Sequence, residues 1–256
     1  MFNIFPVKAF SDNYIWTMVQ GKTAVVVDPG DASPVIEFLE TNELRLEAII
    51  ITHHHFDHSG GIQELTSKYD CPAYGPSGGH INGITKPLAD NEPFEVVGTT
   101  FEALATPGHT NDQLAYYSND AGDPILFCGD TLFAGGCGRL FEGTPLQMQT
   151  SLNRFSSLPM NTKVYCGHEY TESNLVFALA VEPANKDILQ RLEEVKTLRN
   201  ENKVTLPSLI ELELKTNPFM RTNIESVKSS AEKYTGEILK SNSDVLGAIR
   251  SWKDNF

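Results

Sequence analysis

Thr52-His53-His54-His55-Phe56-Asp57-His58 follows directly on the apolar run at residues 48–51 and has the form H-x-H-x-D-H. Side chains two apart in extended backbone point the same way, so His53 and His55 can converge while His54 faces elsewhere. Two imidazoles on one side make half a metal site. Asp57 and His58 come next, in the turn leading to the next helix, and an adjacent carboxylate and imidazole can serve a second metal. A single histidine is ordinarily a surface or hydrogen-bonded residue. Four histidines and an aspartate packed after a buried-type strand point instead to metal binding.

The same local pattern recurs outward along the chain. Short β-branched runs at 23–27, 101–105, 125–128 and 163–166 each give way to polar or glycine-rich residues, which predicts strands ending in functional loops. Those loops open with Asp28-Pro29-Gly30, Thr106-Pro107-Gly108-His109, Gly129-Asp130 and Gly167-His168. His109, Asp130 and His168 therefore stand at strand ends and are the candidates for the remaining ligands. His54 and His80 are read as non-ligands. Asp28 has the form of an ordinary turn aspartate before Pro-Gly.

Helical stretches alternate with these strands. Residues 33–41 predict a helix capped by Ser33 with Pro34 at its start, and residues 60–69 another, giving a layered α/β domain. Beyond Tyr170 the texture becomes helical throughout: 174–181, 187–200 with Ile188, Leu192, Val195 and Leu198 on one face, and 224–234 stopped by Gly236. Ser208-x-x-Glu211 reads as a capping box and Asp244 as the cap of a last helix through Trp252. The boundary is placed between 171 and 172, with a metal-binding catalytic domain before it and a helical domain after it.

Composition bounds the function. With 256 residues, 40% of them hydrophobic, the chain can bury a sizeable core. A formal charge of −13 argues against a nucleic-acid binder, which would carry basic patches. Residues 1–170 hold 8 Lys+Arg against 20 Asp+Glu, whereas 171–256 hold 12 against 13, so an anionic small molecule is better received in the last third. No signal peptide and no membrane span is expected, and the four scattered cysteines read as reduced, buried thiols of a cytoplasmic protein.

The H-x-H-x-D-H run with its distant His, Asp and His resembles the metallo-β-lactamase superfamily across roughly residues 1–172. The resemblance implies an αββα sandwich with a C-terminal helical subdomain, and two divalent metal ions, zinc first and iron or manganese as alternatives. It implies that His53, His55 and His109 hold one ion, that Asp57, His58 and His168 hold the other, and that Asp130 bridges them. It also places Asp28 beneath the site, orienting a ligand. Two ions about 3.5–4 Å apart can share and acidify a water, so a metal-bound hydroxide is the expected nucleophile, with Asp57 and Asp130 the carboxylates that hold the catalytic ions. No G-x-S-x-G nucleophile is present.

Four further segments are similar to the glyoxalase II family: Asp12-Asn13-Tyr14-Ile15-Trp16, Gly135-Gly136-Cys137-Gly138-Arg139, Tyr165-Cys166-Gly167-His168-Glu169-Tyr170-Thr171 and Thr216-Asn217-Pro218-Phe219-Met220-Arg221. This second likeness implies hydrolysis of S-(2-hydroxyacyl)glutathione thioesters, typically S-D-lactoylglutathione to glutathione and D-lactate, the second step of methylglyoxal detoxification. Positions matching the family's glutathione contacts are Arg139, Phe141, Tyr170, Arg250 and Lys253. Arg250 and Lys253, three apart, share a helix face and can meet carboxylates together. Where relatives often place Lys and then Tyr, this loop has Arg139 and Phe141, so a point charge becomes a planar fork and a hydroxyl is lost.

The expected partner is a small-molecule thioester, with no nucleic acid and no membrane, and the expected state a monomer. Rival readings are an iron-dependent glutathione persulfide dioxygenase, another hydrolase of the same fold such as a lactonase or β-lactamase, and a non-catalytic metal-binding scaffold component. The long stretch after Tyr170 and the Arg-x-x-Lys pair favour the thioesterase over the first. Seven ligands for two ions, rather than four closing around one, favour an enzyme over the scaffold.

Overall fold

The computed structural model describes residues 2–120 and 122–256. They form two compact units, each drawn from several stretches of chain. One comprises Met1–Ala105, Asp112–Gly129 and Tyr165–His168, and the other Thr106–Asn111, Asp130–Val164 and Glu169–Phe256.

The first unit is built on strands. β1 (Asn3–Ala9), β2 (Asn13–Gln20), β3 (Thr23–Val27), β4 (Arg45–Ile50), β5 (Ala73–Pro76) and β6 (Lys86–Leu88) lie side by side in chain order. The first three pair antiparallel, and β3 to β6 pair parallel. The parallel neighbours are joined by α1 (Ala32–Thr41) and by α2 (Phe56–Ser59) with α3 (Ile62–Tyr69). β2, β3 and β4 are apolar almost throughout because both faces are covered. On one face Val35 and Leu39 of α1 and Ile62 and Leu65 of α3 join Ile15, Val26 and Ile49 in a single buried cluster.

On the other face lies a second sheet, in which β7 (Pro93–Val96), β8 (Thr99–Ala105), β9 (Leu114–Ser118) and β10 (Ile125–Gly129) form antiparallel pairs. A seam of rings joins the sheets: Tyr74 meets Phe94 at 5.1 Å between centroids, Phe127 meets Tyr165 at 5.3 Å, and Tyr165 meets Trp16 at 4.9 Å. Buried Tyr and Trp carry polar tips that need partners. Tyr116 Oη donates to Ile51 O at 2.5 Å and Trp16 Nε1 to Cys166 O at 2.8 Å.

Two local expectations change here. The cap of α1 is Asp31, whose carboxylate accepts from Ser33 N at 2.9 Å. Ser33 and Pro34 fall inside the first turn, where backbone N–H groups have no helical acceptor and proline costs nothing. The helix expected at 60–69 starts at Ile62, and a separate turn of helix, α2, carries Asp57 and His58.

The second unit contains the short hairpin β11 (Leu132–Phe133) and β12 (Gly136–Cys137), strand β14 (Ser208–Leu209) paired with Lys163 and Val164, the start of β13 (Lys163–Cys166), and most of the helices. α4 (Pro145–Ser156) starts on a capping box of Thr144 and Gln147, α5 (Thr171–Val181) and α6 (Lys186–Asn200) pack through Leu175, Ala178, Ile188, Leu192 and Val195, and α7 (Ile210–Thr216), α8 (Glu225–Thr235) and α9 (Asn242–Asp254) follow. α8 ends at Gly236, which takes φ +75 as the sequence suggests.

Ser208 does not cap α7. It sits in extended β14, and its hydroxyl donates to Glu213 at 2.5 Å and accepts from Arg191 at 2.7 Å, inside a buried ion pair. Asp244 is likewise the third residue of α9, closing a box whose cap is Ser241. α5 begins at Thr171, three residues earlier than its apolar spacing implies.

Candidate metal centre

In the first unit the segment after β4 carries four of the predicted ligands, and His168 after residues 163–166 supplies a fifth. His53 and His55 stand with ring centroids 4.7 Å apart, and His53 is 4.2 Å from His58 by the same measure. Ligand atoms of Asp57, His58 and His168 all lie within 4.8 Å of one another. Asp57 Oδ2 is 3.4 Å from His58 Nε2 and 3.4 Å from His168 Nε2. Close approach is possible because residue 30 is glycine: a Cβ there would sit 1.9 Å from Asp57 O.

Each of these groups is held from behind. Asp28, buried and at φ +55, accepts from Thr52 N at 2.7 Å and Thr52 Oγ1 at 2.7 Å, and it meets His58 Nδ1 at 2.9 Å. Asp12 Oδ1 lies 2.7 Å from His168 Nδ1. Asn13 donates its amide to Asp57 Oδ2 at 3.0 Å and to Asp57 O at 3.3 Å. A carboxylate at Nδ1 keeps the ring proton there and leaves the Nε2 lone pair for a metal. The donor set therefore fits a divalent cation: imidazole nitrogens and a carboxylate converge, with their outer atoms already engaged.

His54 points away from this group and pairs with Asp112 Oδ1 at 3.0 Å, and His80 is exposed. Asp12 and Asn13 are the functional partners that pattern reading leaves out. Asp12 precedes β2 and Asn13 opens it, held by an isolated bridge to His168.

The second unit brings together His109 and Asp130, with Nε2 and Oδ2 3.6 Å apart. The segment after Asp130 folds back over His109. His109 Nδ1 donates to Arg139 O at 2.8 Å, Phe141 N donates to His109 O at 3.2 Å, and the Phe141 ring stands edge-on to the imidazole at 5.3 Å. Gly138 permits the fold-back, since a Cβ would lie 2.0 Å from Asp130 O and 3.0 Å from His109 Nδ1.

The predicted substrate contacts are all in this unit. Arg139, Phe141 and Arg250, with Asp254, line a cavity of about 500 Å³. Arg139 and Phe141 are exposed, and Arg139 Nε lies 3.5 Å from Asp254 Oδ1. Arg250 is buried: it donates to Cys137 O at 2.7 Å and Asp254 Oδ1 at 3.0 Å, and covers the Phe219 ring at 5.3 Å. Lys253 donates to Asn174 Oδ1 and lies over the Phe177 ring. Burial, then the neighbouring Arg250 charge, lowers its pKa to about 8. Tyr170 precedes α5, its ring 5.2 Å from that of Phe133.

Comparison with known proteins agrees with this geometry. Residues 11–168 match the metallo-β-lactamase superfamily, and residues 169–256 match the hydroxyacylglutathione hydrolase C-terminus. Over 259 aligned residues, covering 100% of both chains, the sequence is 48% identical to a hydroxyacylglutathione hydrolase of Pseudomonas fluorescens (strain SBW25) and 49% identical to one of Pseudomonas aeruginosa (strain LESB58). Among solved structures, ETHE1 from Myxococcus xanthus superposes with a TM-score of 0.68 at 23% identity, covering 98% of this chain and 91% of that one, a likeness of fold. TTHA1623, solved in a di-iron-bound form, gives 0.60 at 26% identity over 84% of this chain and 99% of that one. Among the described residues no helix is long and apolar enough to cross a membrane. The fold is that of the metallo-β-lactamases, its His/Asp clusters are those of a dinuclear metal site, and the chain belongs to the hydroxyacylglutathione hydrolase family.

Proposed function

We propose that this protein hydrolyses S-(2-hydroxyacyl)glutathione thioesters, with S-D-lactoylglutathione as the representative substrate and glutathione and D-lactate as products. The observation that carries the reading is identity near 49% over the full length of hydroxyacylglutathione hydrolases, including the C-terminal segment. In this division of labour residues 1–171 supply catalysis and residues 172–256 help bind the glutathione moiety.

His53, His55 and His109 would hold one ion and Asp57, His58 and His168 the other, with Asp130 shared. Zinc is the ion proposed; iron or manganese suits the same donors, and the di-iron form of TTHA1623 supports iron as the alternative. Such ions polarise a carbonyl and bring the pKa of water down toward neutrality. The protein's own groups prepare the rest. Asp28 and Asp12 keep the protons of His58 and His168 on Nδ1, Asn13 fixes the Asp57 carboxylate, and the Arg139 carbonyl does the same for His109. Hydrolysis adds the elements of water across the C–S bond, releasing a carboxylate and the glutathione thiol.

Glutathione brings two carboxylates, and Arg139, Arg250 and Lys253 are the cations offered to them, in a chain whose net charge is −13. Phe141 and Tyr170 supply apolar surface for the peptide backbone. A monomer working in the cytoplasm completes the proposal; its four cysteines are buried and joined in no disulfide, as reduced thiols would be.

The test follows loss of thioester absorbance from S-D-lactoylglutathione in native, chelator-stripped and metal-restored samples. Turnover lost on stripping and regained with metal is expected. A protein shown to hold two ions that leaves the thioester intact would overturn the substrate.

A further inference from the structure

The hairpin of β11 and β12 has only two paired positions, Leu132↔Cys137 and Phe133↔Gly136, too few to hold its shape unaided. Its backbone polar groups are taken up by side chains from far along the chain. Asn217 Nδ2 lies 3.2 Å from Phe133 O and 2.9 Å from Gly136 O. Asn174 Nδ2 donates to Ala134 O at 3.0 Å, Gly135 N donates to Glu213 Oε2 at 2.8 Å, and Arg250 donates to Cys137 O at 2.7 Å.

Asn217 is the centre of this clasp. It is fully buried, its amide also donates to Glu213 Oε2 at 2.9 Å, and its oxygen accepts from Phe219 N at 3.0 Å. The position requires a donor for two carbonyls and an acceptor for one N–H at the same time, which an amide provides and a carboxylate, hydroxyl or alkyl group does not. Arg191, 2.7 Å from Glu213 Oε1, balances the carboxylate that completes the network.

Both ends of the hairpin lead to function. Asp130 stands two residues before Leu132. Directly after Cys137 come Gly138, packed on Asp130 O, and Arg139, whose carbonyl holds His109. We propose that Asn217 is a positioning residue that sets both ends of this segment: the Asp130 and His109 donors on one side and the Arg139 guanidinium on the other. This gives the Thr216-Asn217-Pro218-Phe219 segment a role in the reaction without contact to substrate or metal.

The experiment compares Asn217→Asp, which keeps volume and the Phe219 acceptor but removes the donors, with Asn185→Ala, which removes the cap of α6 elsewhere in the same unit. On folded protein, Asn217→Asp is expected to raise KM for S-D-lactoylglutathione about tenfold and to weaken metal retention against a chelator about tenfold, with Asn185→Ala at wild-type values in both. Wild-type KM or wild-type metal retention in folded Asn217→Asp overturns the proposal, and Asn217→Ser is read the same way should the aspartate variant not fold. The KM arm rests on the thioesterase reading. Absence of turnover in the wild type would refute that reading alone, and metal retention would then decide the role of Asn217 by itself.

Discussion

The Nε2 atoms of His58 and His168 lie 3.3 Å apart, while the opposite nitrogen of each ring faces a carboxylate, Asp28 at 2.9 Å and Asp12 at 2.7 Å. With both protons on Nδ1, two lone pairs point at one another and at Asp57 Oδ2. Such an arrangement is repulsive until a cation enters it. Metal should therefore stabilise the fold as well as activate it, by about 2.7 kcal/mol at an ion concentration one hundred times its Kd. Thermal melts of stripped protein titrated with zinc should show Tm rising with zinc concentration. A Tm indifferent to stripping, with metal loss verified by elemental analysis, would contradict this.

Asp28 offers a sharper test of how the ligands are held. Its carboxylate meets three donors, two from Thr52 and one from His58, and every one of them needs an acceptor. In Asp28→Asn one of those donors faces an NH2 group, and the His58 proton is driven toward Nε2. Metal affinity should fall about 10–100-fold, with turnover falling alongside. Chelator competition measures it, and wild-type affinity in the variant would show that Asp28 serves only the turn.

How far the sequence foretells this arrangement depends on whether a residue's role is local. His53 and His55 are legible because they follow directly on an apolar strand, although the chain bends at 52–54 instead of running extended there, and His109, Asp130 and His168 because strand ends concentrate functional loops. Asp12 and Asn13 are not legible as partners: they act on His168 and Asp57 across separations of 156 and 44 residues, which no periodicity reports. Ser208 and Asp244 show the opposite failure, in which a correct-looking local motif gives way. Ser208 is claimed by a buried ion pair, and Asp244 by a cap three residues upstream. The helices after Tyr170 follow their apolar spacing, yet the clasp that Asn217 places on the hairpin is invisible in that spacing, because it is made of side-chain to backbone bonds between distant segments.

The second unit also contains a partly buried ion pair, with its carboxylate buried, whose loss should be costly. Arg221 donates to both oxygens of Glu182, at 2.8 and 3.0 Å, and Ser226 adds a bond of 2.7 Å. Burial pushes the Glu182 pKa up, but the hydrogen bonds from Arg221 and Ser226 outweigh it and leave the group below 4.5. Arg221→Ala strands the carboxylate and should destabilise by about 3–5 kcal/mol at pH 7. A depressed carboxylate stabilises above its unfolded pKa and loses that contribution as pH falls through the folded value. The gap between wild type and variant in denaturant unfolding should thus narrow below pH 4.5; a gap that stayed constant with pH would argue against the ion pair as its source.

Lys253 predicts a pH dependence of the same sense in stability, in a more alkaline window. Its pKa is lowered from 10.5 to about 8, so between those values the unfolded chain binds a proton that the folded protein does not. Unfolding free energy attributable to Lys253 therefore rises with pH across that window. Binding runs the other way, because an uncharged amine no longer attracts a carboxylate. KM for the glutathione thioester should climb above pH 8 in the wild type and stay level there in Lys253→Met, while Arg250 remains charged in both. Parallel KM profiles for the two proteins would remove Lys253 from substrate binding.

Asp254 stands where a substrate carboxylate would be expected, with Oδ1 3.0 Å from Arg250 Nη2 and 3.5 Å from Arg139 Nε. It half-neutralises the pair and repels any anion approaching them. Removing one such charge from a partly solvated site is worth about 1 kcal/mol, the scale of two charges near 4 Å in water. Asp254→Asn should accordingly lower KM for the thioester about fivefold and leave kcat in place. The gain should shrink as salt rises, since screening acts on charges exposed in this way. If KM rises instead, Asp254 acts chiefly by holding the Arg250 fork in place, and the bond from Arg250 to Cys137 O should then be tested as the remaining anchor of that side chain.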